Sequence, residues 1–269
     1  MEEKQLEKIK RLSWGDIKKN ISAKTPFEAI SPLGSMLLRI KEYTPIVAVL
    51  PYTGHRVREE IASKMSIEDD SRLADEDASL APLVDAFPIQ LFGLDSRYEY
   101  DLDRPRTDAI YLKPFQSWGK KVWVNPPSKE EIDVSLQKYD EFYDLVDFLT
   151  EEFAKLSPKT LFVTVHGVTP KAGTKISAPY QIDLDLSAID QTKHGKAIDV
   201  FTQELKNASP NLSVNGGNKT AGALAKKLLL TDRALAVSLG VGRPTQELPT
   251  PVAVSSALLK GAQASFEIL

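Results

Sequence analysis

The chain has no cysteine, only three histidines in 269 residues, and no excess of basic over acidic groups. The absence of cysteine excludes disulfides and thiolate metal sites. With 34 basic and 37 acidic residues the net charge is -3, so no broad basic surface for nucleic acid is implied. No apolar run approaches the length of a membrane span. The opening segment "MEEKQLEKIKRLSWGDIKKNI" is charged throughout and lacks the apolar stretch of a signal peptide. The expectation is a soluble cytoplasmic protein with neither membrane nor nucleic-acid partners. Hydrophobic content of 42% and charged content of 26% are ordinary for a globular chain.

Apolar residues recur with two different periods. Leu6, Ile9, Leu12 and Ile17 are spaced for one face of a helix over residues 2–20, expected to pack on the domain rim. Residues 45–50, 87–94, 159–168 and 233–242 are short, continuous apolar runs, the pattern of strands buried on both faces. Further strands are expected within 177–185 and 211–218. The longest helix is predicted over 128–156, where Ile132, Leu136, Tyr139, Tyr143, Val146, Leu149 and Phe153 form a stripe. Ser128 and Glu131 suit a capping box at its start. Shorter helices are predicted over 56–64, 193–205, 221–230 and 251–265. Strands alternating with helices predict a mostly parallel mixed sheet in a three-layer α/β/α arrangement. With no evident linker, residues 1–269 read as one domain.

In such sheets ligands sit outside the carboxyl ends of strands. That directs attention to Tyr52–His55, Ser96–Arg97, His166–Gly167 and the turn at 240–243. His166 directly follows an apolar run, where a histidine serves as a metal ligand, a general base or a hydrogen-bonded rim residue. His55 opens a segment with two arginines, and His194 lies among polar residues. "LDSRYEYDLDRPRTDAIY" (Leu94–Tyr111) sets Arg97, Arg104 and Arg106 among Asp95, Glu99, Asp101, Asp103 and Asp108. This stretch is either a surface ion-pair cluster, worth little, or a carboxylate clamp in which aspartates hold the guanidinium forks still. Glu76 and Asp77 are either helix caps or oxygen ligands for a metal shared with His166. "VNGGN", with Gly216 and Gly217, is either a tight turn or an anion nest.

Taken together these segments resemble the N-formylglutamate amidohydrolase family. "GHRVREEI" looks like the family's "GH-x-[RL]-R-x-E", "RLADEDAS" its "R-x-x-EED-P", and "SRYEYDLDRPRTDAIY" its "SR[FY]-x-x-DLNRPR-x-x-[AV]-[VI]-Y". "SWGKKVW" is similar to "[AS]WG-x-x-VW", "VTVHG" takes the place of "[LV]D[LF]HS", and "VNGGN" that of a "[FR]-x-GG" turn. The resemblance covers residues 43–242. It implies a phosphorylase/hydrolase-like fold related to zinc carboxypeptidases. It also implies metal-dependent hydrolysis of an amide on an acidic N-acyl amino-acid-type substrate. By the same resemblance Arg97, Asp101, Arg104, Arg106, Gly216 and Gly217 hold substrate, and Glu76, Asp77 and His166 ligate a divalent metal, zinc. Asp103 stands where the family has Asn, and two further positions depart from the implied metal and catalytic set. Tyr52 stands where the first metal histidine is expected, and Ser238 where a late strand carries the catalytic glutamate. His55 and Glu247 are the nearest substitutes. Loss of a protonic glutamate costs roughly 10²–10⁴-fold in rate, so reduced or lost activity is the expectation.

Overall fold

The computed structural model describes residues 3–168, 180–186, 189–208, 212–217, 222–242 and 251–269. Among these residues eight strands form one sheet. They are β1 (Phe27–Ile30), β2 (Met36–Ile40), β3 (Ile46–Leu50), β4 (Ile89–Gly93), β5 (Thr160–Val168), β6 (Tyr180–Asp185), β7 (Leu212–Gly217) and β8 (Ala234–Gly242). Their spatial order is β1-β2-β4-β3-β5-β8-β6-β7. β3 pairs in parallel with β4 and β5, β5 with β8, and β6 with β7. The β1–β2, β2–β4 and β6–β8 pairs are antiparallel. The mixed α/β architecture expected from the alternation of strands and helices is present. The β1–β2 hairpin adds two antiparallel strands to those expected.

Among the described residues eight α-helices accompany the sheet: α1 (Glu3–Leu6), α2 (Trp14–Ser22), α3 (Glu59–Ala62), α4 (Asp69–Ala74), α5 (Lys129–Phe153), α6 (Gln191–Ala208), α7 (Ala223–Leu229) and α8 (Pro251–Phe266). The single helix expected over 2–20 is two. Arg11 leaves the helical path to bridge Ile30, and Ser13 restarts it by accepting the Asp16 N–H at 3.1 Å. The helix expected over 56–64 is only one turn, because Arg56 is drawn into a bridge with Asp95. α5 begins with the expected capping box between Ser128 and Glu131.

Alternation along the strands sorts the core into two layers. Val47, Val49 and Phe162 pack with Ile17 of α2, with Tyr139, Phe142, Tyr143 and Val146 of α5, and with Leu224 of α7. Ile46, Ala48, Leu50, Leu161 and Val163 face the opposite way, toward Phe201 of α6 and Leu258 of α8. A strand covered on both faces must be apolar at every position, hence the unbroken run IVAVL in β3. Each fully buried Leu, Ile or Phe contributes about 1.5–3 kcal/mol. β3, β4, β5 and β8 all end on the same sheet edge, and the site is assembled there.

Candidate functional site

The chain leaves β3 through Pro51 and turns sharply. Thr53 Oγ1 donates to the Gly93 carbonyl at 3.1 Å, and the Tyr52 carbonyl accepts the Asp77 N–H at 2.7 Å. Gly54 lies so close to the next strand end that a Cβ there would overlap the Leu94 carbonyl, which is backbone and cannot step aside. Gly54→Ala is therefore expected to destabilise the fold by about 2–3 kcal/mol, since overpacking against a rigid neighbour displaces both chains. Thermal unfolding checks this, and an unchanged Tm would contradict the packing.

The turn delivers Tyr52 into a buried polar cluster. Its hydroxyl donates to Asp101 Oδ1 at 2.7 Å. Arg97 donates from Nη2 to Asp101 Oδ2 at 3.0 Å and from Nε to the Tyr111 hydroxyl at 3.3 Å. Tyr111 in turn donates to Asp101 Oδ2, and the Asp103 N–H donates to Asp101 Oδ1 at 2.9 Å. The guanidinium carbon of Arg97 sits 3.8 Å from the centre of the Tyr52 ring, in cation–π geometry. Burial, and then the nearby Asp101 carboxylate, push the Tyr52 hydroxyl well above its ordinary pKa, so it is a neutral donor. Burial works against the Asp101 carboxylate. Arg97 and the Tyr111 and Tyr52 hydroxyls outweigh it and hold the carboxyl below the usual range.

Arg104 joins the same carboxylate from the side. Its Nε is 3.7 Å from Asp101 Oδ2, its Nη2 donates to the Gln116 carbonyl at 2.5 Å, and its guanidinium lies over the Tyr111 ring at 4.9 Å. Asp101 thus fixes the Arg97 fork by a hydrogen bond and attracts the Arg104 fork, which the Gln116 carbonyl holds, and the Nη1 of each lies outside these bonds. Arg106 is elsewhere. It pairs with Asp140 on the exposed face of α5 at 2.7 Å. Asp103 reaches the start of α7, where Leu224 N donates to its Oδ1 at 3.2 Å and its carboxyl fills the space beside Gly222. Burial and the neighbouring Asp101 charge raise its pKa to about 7.

Trp118 caps the cluster. Its backbone is left-handed, with φ 54°, followed by Gly119 at φ 88°. That conformation costs a side-chain-bearing L-residue roughly 1–2 kcal/mol. It turns the indole back over Arg97, 4.7 Å from the guanidinium carbon, and edge-on to Tyr111 at 6.0 Å. A cation–π contact of about 0.5–1 kcal/mol and an aromatic pair of about 0.5–1.5 kcal/mol offset the strain.

The remaining candidates line the strand ends. Glu76 is buried, with Arg72 Nη1 donating at 2.8 Å and the Ser96 hydroxyl also donating to it. Asp77 Oδ2 accepts Gly167 N at 2.7 Å. His166 follows Thr164 on the α5 face of β5, in register with Gly240. On the same face Thr164 donates to Ser238 Oγ at 2.8 Å, and Ser238 stands opposite Asp185 of β6. Gly216 and Gly217 close β7, opposite Leu184 and Asp185. His55 lines a separate cavity of about 650 Å³ with Arg56, Met65, Ile67 and Arg72. The expected turn residue Arg243, the substitute Glu247, the beginning of the 177–185 run and Asn218 lie outside the described residues. The fold around this cluster is shared with known proteins. The model of the N-formylglutamate amidohydrolase family matches residues 44–231.

The chain belongs to this family. Membership supports an amide-hydrolase-like function. An N-formylglutamate amidohydrolase from Ralstonia eutropha JMP134 shares the fold at 13% identity, with a TM-score of 0.60 over 87% of this chain and 96% of that one. A gene product from Agrobacterium tumefaciens does so at 16% identity, with a TM-score of 0.59 over 87% and 94%. No curated protein matches. The metal implied by the family resemblance does not fit the residues in view. Among the described residues no three His, Asp or Glu side chains are grouped to hold an ion. The first ligand position is a protonated phenol beneath a guanidinium, a cation that repels another cation. Tyr111, Trp118 and Asp185 join the site without a local signal in the chain. Trp118 did stand in a specific segment, "SWGKKVW", but nothing in its spacing announced a left-handed turn.

Proposed function

We propose that this protein binds an acidic N-acyl amino-acid-type ligand by its carboxylate at Arg97 and Arg104, and that the family's metal-dependent amide hydrolysis is lost or much reduced in it. One observation carries the reading: Asp101, held by Tyr52 and Tyr111, anchors the Arg97 fork at the strand ends and keeps that of Arg104 beside it. Arg97 stacks on Tyr52, so the fold fixes one of the two cations of the site in place. Fixed, preorganised donors suit bidentate carboxylate recognition. Isothermal calorimetry with N-formylglutamate and with simple dicarboxylates tests the reading. The wild type is expected to bind the acyl amino acid, and Arg104→Ala to weaken it about tenfold with Tm held within a few degrees. Unchanged affinity in Arg104→Ala, or stoichiometric zinc in the purified protein, would overturn it.

A second reading, a hydrolase rebuilt without the family's ligand set, is favoured by one feature. Thr164, Ser238 and Asp185 form a row across β5, β8 and β6, with His166 one step along the same face. Steady release of free amine from an N-acyl amino acid, abolished in Ser238→Ala, would support it.

A further inference from the structure

We propose that Trp118 is a specificity-determining residue that selects ligands carrying an aromatic acyl group, stacking that group on the indole face turned away from Arg97. The inference rests on the carboxylate-binding reading above and adds what the other end of the ligand looks like. Three observations carry it. First, Trp118 holds a left-handed backbone, at φ 54° and ψ 33°, that a large side chain rarely adopts. Such outliers persist where the surroundings fix them and concentrate at ligand clamps. Second, the indole sits 4.7 Å from the Arg97 guanidinium, which itself lies 3.8 Å from the Tyr52 ring, so Tyr52, Arg97 and Trp118 already form a three-layer stack. Third, 61% of Trp118 is exposed although the two rings it works with, Tyr52 and Tyr111, are buried. The stack therefore ends in an open aromatic face next to the clamp.

A ligand whose carboxylate meets Arg97 and Arg104 brings its acyl substituent alongside this face. A formyl group is too small to cover an indole. A benzoyl or similar flat ring adds a fourth layer, and an aromatic stack on such a platform is worth about tenfold or more in affinity.

The test compares N-benzoyl-L-glutamate with N-formyl-L-glutamate by calorimetry on the full chain. Wild type is expected to bind the benzoyl compound about tenfold more tightly. Trp118→Gly, which suits the left-handed backbone, is expected to bring the two affinities together. Trp118→Asn, also tolerant of that backbone, provides a second variant should the glycine protein fold poorly, and Trp118→Phe is expected to restore part of the preference. A structural role alone would lower Tm and leave the ratio of affinities unchanged, which would overturn the proposal. So would equal binding of both compounds by wild type. If the formyl compound binds and depends on Arg104 while the benzoyl compound gains nothing, this inference falls and the carboxylate reading stands. If neither compound binds, both fall.

Discussion

Replacing Asp101 with alanine is expected to destabilise the protein by about 3–5 kcal/mol, the cost of removing one partner from a buried charge pair. Asp101 is buried and accepts from Tyr52, Tyr111, Arg97 and the Asp103 N–H. Alanine leaves the Arg97 guanidinium stacked between Tyr52 and Trp118 with no counter-charge at its fork. It also strands two buried hydroxyl donors, each costing about 1–3 kcal/mol unless water enters. For a chain of this size the change corresponds to a fall of about 6–20 °C in Tm. Asp101→Asn keeps the shape but turns an amide toward donors, so it is expected to recover only part of the loss. Differential scanning calorimetry settles the matter. A shift under about 2 °C for the alanine variant would mean that the cluster is solvated and does not organise the site.

Asp103→Asn should have the opposite sign and a strong pH dependence. Asp103 lies beside ionised Asp101, senses Asp185 of β6, and is only partly relieved by Arg97 and the Leu224 N–H. Tyr139 and Tyr143 of α5 face the same carboxylates. The folded-state pKa is about 7, against about 3.9 for an unfolded aspartate. Between those values the folded state keeps a proton that the unfolded state has lost. Its contribution to stability is therefore complete below about pH 4 and declines as pH rises through 7. Above pH 7 the fold carries an ionised carboxylate against a like charge. Asparagine, neutral at every pH, removes that penalty, stabilising the protein by about 2–4 kcal/mol at pH 8 and by almost nothing near pH 4. Urea unfolding at the two pH values reads the difference directly. Equal stabilisation at both would show that packing beside Gly222, not charge, sets the effect.

Much of the fold was legible in the sequence because burial on both faces leaves a local mark. The apolar runs that became β3, β4, β5 and β8, and the three-and-four stripe of α5, are statements about single elements and their coverings. The β1–β2 hairpin and the break between α1 and α2 were not legible. Each is decided by pairing with a distant segment, Arg11 with Ile30 and β2 with β4. The same division runs through the site. That Arg97, Asp101 and Arg104 act together follows from a segment whose residues are neighbours in the chain. Arg106 sits in the same segment, yet one turn of 3-10 helix carries it out to Asp140 of α5. The sequence alone determined the family, the α/β layering and the substitution of Tyr52 for a histidine. Only the tertiary structure decided what Tyr52 does instead. Its hydroxyl is fixed by Asp101, its ring is covered by Arg97, and both partners reach it from the end of β4, more than forty residues along the chain. Through-space charge and stacking set that arrangement, and neither has a sequence period.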